Sequence, residues 1–284
     1  MSLPYNQPLY IYYLQGRVGQ STQSFGESFL GNWEEDGYSF LFFSKPVLFS
    51  IEQLIEKQNN LILLDTFEMT YEEWQGGRIE PMQIGSFFLY PPWTSIANLE
   101  IPNSCIPICL DPGLVFGTGM HPTTHVCLNL LEYTCRTYSV VSGIDIGTGT
   151  GILSIAAAKL GCQEILAIDS TFLAATTTKN NVIRNELSEN ILVIQGLGEH
   201  FIDHASDILI ANIHYDVMKK LVHSQGFLQN SFFILSGLLK SQAQSIEAAL
   251  HTLPVQILEK QTPDGIWYSY LGKQITPTVL RHKL

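Results

Sequence analysis

Charge is scarce in this chain of 284 residues: Asp, Glu, Lys and Arg make up 14% of it, against about a quarter in an average soluble domain. With 45% apolar residues, that excludes a disordered, collagen-like or coiled-coil chain. Long apolar runs are missing too. The longest candidate, Gly151 to Ile168, is broken by Lys159 and Glu164, short of the roughly 18 residues a bilayer span needs. The first sixteen residues hold no basic side chain ahead of an apolar stretch, so no secretory signal is expected. Cys105, Cys109, Cys127, Cys135 and Cys162 include no Cys-x-x-Cys pair. Free thiols in a reducing, cytoplasmic compartment are the expectation, with no membrane association.

The acidity is uneven. Residues 1 to 100 carry 4 Lys+Arg against 12 Asp+Glu, and residues 101 to 284 carry 11 against 14. Such a field disfavours DNA, RNA and anionic membranes and suits a basic partner, although solubility alone would also explain it.

No repeat or low-complexity tract divides the chain, so its organisation is read from changes of pattern. Up to about Pro92 it is rich in aromatics and short strand-like runs: Leu9 to Leu14, Phe25 to Leu30, Tyr38 to Phe43, Leu61 to Phe67 and Phe87 to Tyr90. One helix is expected from Pro46 to Gln58. This predicts a smaller α+β domain over 1–92, followed by a proline-broken linker over 93–110. From Asp111 strands alternate with helices, the pattern of a parallel sheet covered on both faces, which gives a domain over 111–284. Strands are expected at Val140–Ile146, Glu164–Asp169, Ile191–Gln195, Asp207–Ile213 and Phe232–Ser236. Two more, Val255–Lys260 and Ile266–Leu271, have no helix between them. Five parallel units ending in a hairpin is the plan of the class I S-adenosylmethionine-dependent methyltransferase fold, a seven-stranded, mostly parallel α/β sheet.

The central motif is Ile144-Asp-Ile-Gly-Thr-Gly-Thr-Gly151, leaving an apolar strand for a helix. Gly147, Gly149 and Gly151 let the backbone turn sharply and approach a ligand at the carboxyl edge of the sheet. The spacing differs from the dinucleotide fingerprint, and Asp145 would repel a pyrophosphate but could receive an ammonium group. That favours S-adenosyl-L-methionine over a nicotinamide cofactor. Asp169, ending the next strand, can accept both ribose hydroxyls, although alone it could be a helix cap.

Two further constellations stand out. Asp111-Pro-Gly-Leu-Val-Phe-Gly-Thr-Gly-Met-His-Pro-Thr-Thr124 reads as a glycine-permitted loop entering a helix at Pro122. His121 and His125 share a spacing that metals use, but no third ligand accompanies them, so no metal is expected. Ala211-Asn-Ile-His-Tyr215 places a polar Asn at the end of an apolar strand, where it either faces the ligand crevice or closes an Asx turn.

Taken together, Asp111 to Thr124, Asp145 to Gly151, Asp169, Ala211-Asn-Ile213 and Leu235-Ser-Gly-Leu238 resemble the PrmA family, bacterial lysine methyltransferases of ribosomal protein L11. The similarity runs from about Tyr71 to Lys273, including Trp74, Ile84-Gly85 and Pro92-Trp93. It implies that Phe116, Gly117, Thr118, His121 and Thr123 lie over the cofactor, and that Asn212 faces its methyl group. The catalytic residues would be Asn212 and His121 in a catalytic domain over 111–284, and the substrate a basic protein such as a ribosomal one, recognised by the domain over 1–92. The chain departs from the family at Met120, at His214-Tyr215, and between Gln15 and Gly26, where the family's amphipathic helix has no counterpart.

On this reading Asn212 accepts an amine N–H through its carbonyl and aims the lone pair, while His121, His214 and Tyr215 shape the pocket or pass the proton to solvent. Two rivals are an amino methyltransferase acting on a nucleobase or small amine, suggested by Asn-x-x-Tyr, and a non-catalytic cofactor-binding scaffold.

Overall fold

The protein is described by a computed structural model covering residues 7–18, 25–35 and 37–275. It divides into two compact units. One comprises the residues up to Glu80 with Thr171–Leu173, the other Pro81–Ser170 with the residues from Ala174 on.

In the first unit, strands β1 (Pro8–Gln15), β2 (Phe29–Glu35), β3 (Tyr38–Phe43) and β4 (Ile62–Thr70) form an antiparallel sheet in the order β2-β3-β1-β4. Helix α1 (Leu48–Lys57) buries Ile51 and Leu54 in a cluster with Tyr12, Leu14, Leu41 and Phe43 from one face of that sheet. The short helix α2 (Tyr71–Trp74) is held at its start by Thr70, whose hydroxyl accepts the Glu73 N–H while the Glu73 carboxylate accepts the Thr70 N–H, a capping box. The strand expected at Phe25–Leu30 begins only at Phe29. A turn precedes it, with the rings of Phe25 and Phe29 each 5.3 Å from that of Phe43. Those aromatics clamp a turn, so their density was no sign of extended backbone. The absent amphipathic helix concerns a stretch, 19–24, outside the described residues.

The second unit opens with a small sheet of β5 (Met82–Ile84), β6 (Phe87–Tyr90) and β7 (Ile106–Cys109). The linker expected over 93–110 therefore contains a strand. Pro107 sits in β7 at the edge of the sheet, where a residue without an N–H is tolerated.

Helix α3 (Pro122–Thr137) then leads into seven strands: β8 (Ser142–Ile146), β9 (Glu164–Asp169), β10 (Ile191–Gln195), β11 (Ile208–Asn212), β12 (Phe232–Leu239), β13 (Val255–Gln261) and β14 (Trp267–Gln274). Their order is β10-β9-β8-β11-β12-β14-β13, with the first five parallel and β14 and β13 antiparallel. Alternate residues of the central strands feed two cores. Ile208 and Ile210 join side chains of α3, α4 (Ile152–Lys159) and α5 (Phe172–Arg184). Leu209 and Ala211 join Met218 and Leu221 of α6 (Tyr215–His223) and Ile246 of α7 (Lys240–Leu250). Helices thus cover both faces, and the adjacent strands β8 and β11 send the chain to opposite sides. That is the topological switch point at which open α/β sheets bind ligands.

Candidate active site

The loop leaving β8 is built by backbone geometry that side chains resist. Gly147, Gly149 and Gly151 have φ of +74°, +58° and +84°, values in the left-handed region that glycine adopts freely. A Cβ on Gly149 would lie 2.5 Å from the carbonyl oxygen of Phe116. The two loops are tied there: Thr150 N–H donates to Phe116 O at 3.1 Å and the Thr150 hydroxyl to Gly117 O at 2.6 Å. Phe116, Gly117 and the glycine loop therefore form one hydrogen-bonded rim.

Asp169, at the end of β9, accepts the Gly149 N–H through Oδ2 at 3.1 Å. Its carboxylate thus stands at the mouth of the glycine loop. Asp145 is placed differently from the expectation of an ammonium-binding carboxylate. It is 1% exposed, and its Oδ2 accepts the hydroxyls of Ser154 (2.6 Å) and Thr148 (2.8 Å). Burial pushes its carboxyl up to about 6, against the opposing effect of those hydroxyls. Asp145 fastens the loop to α4 from inside the fold.

The first turn of α3 carries the polar residues of the site. His121 caps the helix, its Nδ1 accepting the Thr123 N–H at 3.3 Å and the Thr123 hydroxyl at 2.7 Å. Burial, aided by the neighbouring His125, holds the His121 imidazole below its ordinary pKa, so the ring is neutral near pH 7 with its hydrogen on Nε2. The Asn212 amide, ending β11, donates to the same Thr123 oxygen at 3.2 Å. Thr123 is fully buried and links the two: it accepts from Asn212 and donates to His121. Asn212 Oδ1 is left towards Gly237, where an added Cβ would approach it to 3.1 Å.

Other expected residues are less central. Phe116 is 57% exposed, and its ring lies 5.3 Å from that of His121. The Thr118 hydroxyl accepts the Met120 N–H within its own turn. His214 caps α6 without a side-chain cap bond. The Tyr215 hydroxyl donates to Ser245 of α7 at 2.9 Å. Among the described residues no group of three His, Cys, Asp or Glu gathers as a metal site would require.

Three residues were not singled out from sequence. Trp267 packs edge-on to His121 at 5.0 Å. Thr178 donates to Gly149 O at 2.8 Å. Asn181, fully buried in α5, donates to the carbonyls of Asp111 and Thr150 and accepts the Asp111 N–H, all within 2.9 Å. A fully buried Asn in a helix is the signal, but burial shows only in the fold.

The rim fits a cationic nucleoside. It offers a side-chain-free glycine cradle, a carboxylate at the end of β9 and an exposed aromatic ring, and no Lys or Arg occurs from Asp111 through Cys135 or from Ser142 through Ala158. The sequence profile described as ribosomal protein L11 methyltransferase (PrmA) matches residues 49–274. The chain belongs to that family. The ribosomal protein L11 methyltransferase of Anoxybacillus flavithermus is 31% identical over 240 residues, 79% of this chain and 75% of that one. Its namesake from Halalkalibacterium halodurans is 33% identical over 239 residues, 79% of this chain and 74% of the relative. A crystal structure of ribosomal protein L11 methylase from Lactobacillus delbrueckii subsp. bulgaricus superposes with a TM-score of 0.61 at 27% identity, covering 69% of this chain and all of the other. As a PrmA family member with the class I fold, the protein is an S-adenosylmethionine-dependent methyltransferase.

Proposed function

We propose that the protein methylates amino groups, lysine side chains or an α-amine, of a basic protein substrate, a ribosomal protein such as L11, in the cytoplasm. No helix of the described residues is long and apolar enough to cross a membrane. The observation that carries the reading is the orientation of Asn212: with an N–H committed to Thr123, the side chain leaves its carbonyl as an acceptor towards Gly237 at the carboxyl end of β11.

The cofactor supplies a methyl group on a sulfonium, open to in-line attack by a lone pair. A lysine of pKa about 10.4 is mostly ammonium at pH 7, and freeing its lone pair costs about 4.6 kcal/mol. Desolvation at the rim and repulsion by a neighbouring positive charge both lower that cost. Asn212 Oδ1 accepts one amine N–H and points the lone pair away from itself. A neutral acceptor suits this task, because a carboxylate would hold the unreactive ammonium. Asp169 binds the ribose hydroxyls, Gly147, Gly149 and Gly151 admit the donor close to the backbone, and Phe116, Gly117 and Thr118 cover it. Neutral His121 keeps the Thr123 hydroxyl turned so that its oxygen receives the Asn212 amide.

Incubation with methyl-labelled cofactor and purified L11, followed by mass spectrometry, tests the reading. Mass steps of one methyl on lysine or the α-amine are expected. Label in RNA, in a free nucleobase or small amine, or nowhere would overturn it in favour of the two rivals.

A further inference from the structure

Helix α5 carries two buried asparagines one turn apart, and each pairs with the backbone of the segment leaving β7. Asn185 accepts the Cys109 N–H at 3.1 Å and donates to Cys109 O at 2.7 Å. Asn181 does the same for Asp111, at 2.9 and 2.8 Å. Two extended residues span about 6.6 Å and four helical residues about 6.0 Å, so side chains at i and i+4 match alternate residues of an extended chain. The helix takes the place of a neighbouring strand. The close approach continues at Gly113, where an added Cβ would lie 2.8 Å from the Thr177 side chain.

The two asparagines differ in where the rest of the amide goes. Besides Cys109 O, Asn185 donates back to its own helix, to Asn181 O at 2.8 Å. Asn181 instead donates to Thr150 O at 2.9 Å. An amide has two N–H donors, and Asn181 divides them between the start of the 111–124 loop and the glycine loop. One turn earlier, Thr178 donates to Gly149 O at 2.8 Å, and a Cβ on Gly151 would meet its Cγ2 at 2.8 Å. The carbonyls of Gly149 and Thr150 are therefore held by α5, while the Thr150 N–H and hydroxyl hold Phe116 O and Gly117 O. A loop with three glycines has much conformational freedom to lose when a ligand orders it. Anchors that fix it beforehand remove that cost from binding.

We infer that Thr178 and Asn181 are positioning residues for the methyl donor: acting through the carbonyls of Gly149 and Thr150, they fix the glycine loop and the start of the 111–124 loop at one spacing before the donor binds. Asn185 anchors only the backbone at Cys109 and serves as the matched control. The inference rests on reading the rim as the donor's seat, and the two fail separately in the following experiment.

Affinity for S-adenosylhomocysteine is measured by calorimetry on the full chain carrying Asn181→Ala, Asn185→Ala, Thr178→Val or Thr178→Ser, beside melting temperature and amide hydrogen exchange without ligand. Asn181→Ala and Asn185→Ala each leave the N–H and C=O of one backbone residue unpaired, so their melting temperatures fall by similar amounts. Kd rises about tenfold in Asn181→Ala and about threefold in Thr178→Val. It stays within about twofold of wild type in Asn185→Ala, and in Thr178→Ser, which restores the hydroxyl. Exchange of the Thr150 amide quickens about tenfold in Asn181→Ala and not in Asn185→Ala. With affinity lowered in Asp169→Ala, unchanged affinity in Asn181→Ala and Thr178→Val, or an equal loss in Asn185→Ala, overturns the positioning role. Should Asn181→Ala fail to fold, the contrast between Thr178→Val and Thr178→Ser decides it. If Asp169→Ala keeps full affinity, the rim is not the donor's seat and that reading falls. Exchange then decides the loop fixing: a faster Thr150 amide supports it, and an unaltered one overturns it.

Discussion

The side-chain amide of Asn212 donates to the hydroxyl oxygen of Thr123 at 3.2 Å, tying the end of β11 to the first turn of a helix 89 residues earlier in the chain. One hydroxyl therefore decides which end of the amide faces the rim. Because Thr123 also donates to His121 Nδ1, the direction of both hydrogen bonds is set together.

Thr123→Val keeps the shape of the side chain and removes both bonds. Losing them leaves Asn212 free to turn its amide, and kcat should fall about tenfold, with a smaller change in affinity for the cofactor. Steady-state kinetics against calorimetry of S-adenosylhomocysteine binding checks this. Unchanged kcat would show that the hydroxyl does not orient Asn212.

Asp169→Ala should act on binding. A charged acceptor for ribose hydroxyls contributes enough that its loss weakens S-adenosylhomocysteine binding by about ten- to a hundredfold. Full affinity in the variant would remove Asp169 from the site.

Gly149→Ala combines a left-handed φ with a Cβ 2.5 Å from Phe116 O, whereas Gly161, at φ +109°, has open space around its Cβ position. Gly161→Ala should cost only the backbone strain of roughly 1–2 kcal/mol. Gly149→Ala should lower the melting temperature further and weaken cofactor binding, because the clash separates the two loops. Equal melting temperatures would contradict the close approach.

Asp145 gives a pH signature. Burial raises its folded-state pKa to about 6, above the value of about 3.9 in an unfolded chain. Its contribution to stability is therefore present in full below pH 4 and is lost as pH rises through 6. Asp145→Asn cannot ionise, so its melting temperature should gain on that of the wild type between pH 4 and pH 7. Parallel curves would mean that the carboxylate is not desolvated.

The parallel sheet was legible because its strands are apolar on both faces and its helices show regular apolar spacing: β9 and β10 have the bounds read from sequence. The glycine loop and Asp169 were legible because backbone constraint and strand position write themselves into residue type. β7 was not, since Pro102 and Pro107 signal a break, and only the neighbouring β6 makes Pro107 an edge residue. The partner of the Tyr215 hydroxyl, Ser245 of α7, lies 30 positions along the chain and shows in no local pattern. The link from Asn212 through Thr123 to His121 joins residues 89 positions apart, and no local pattern encodes such a distance.

The central claim is that Asn212 acts on the substrate amine and leaves donor binding largely untouched. Asn212→Ala measures it most directly, with S-adenosylhomocysteine affinity by calorimetry and turnover on L11 read side by side. The prediction is affinity close to wild type with turnover lower by about a hundredfold or more. Turnover at the wild-type level, or loss of binding in step with turnover, would contradict it.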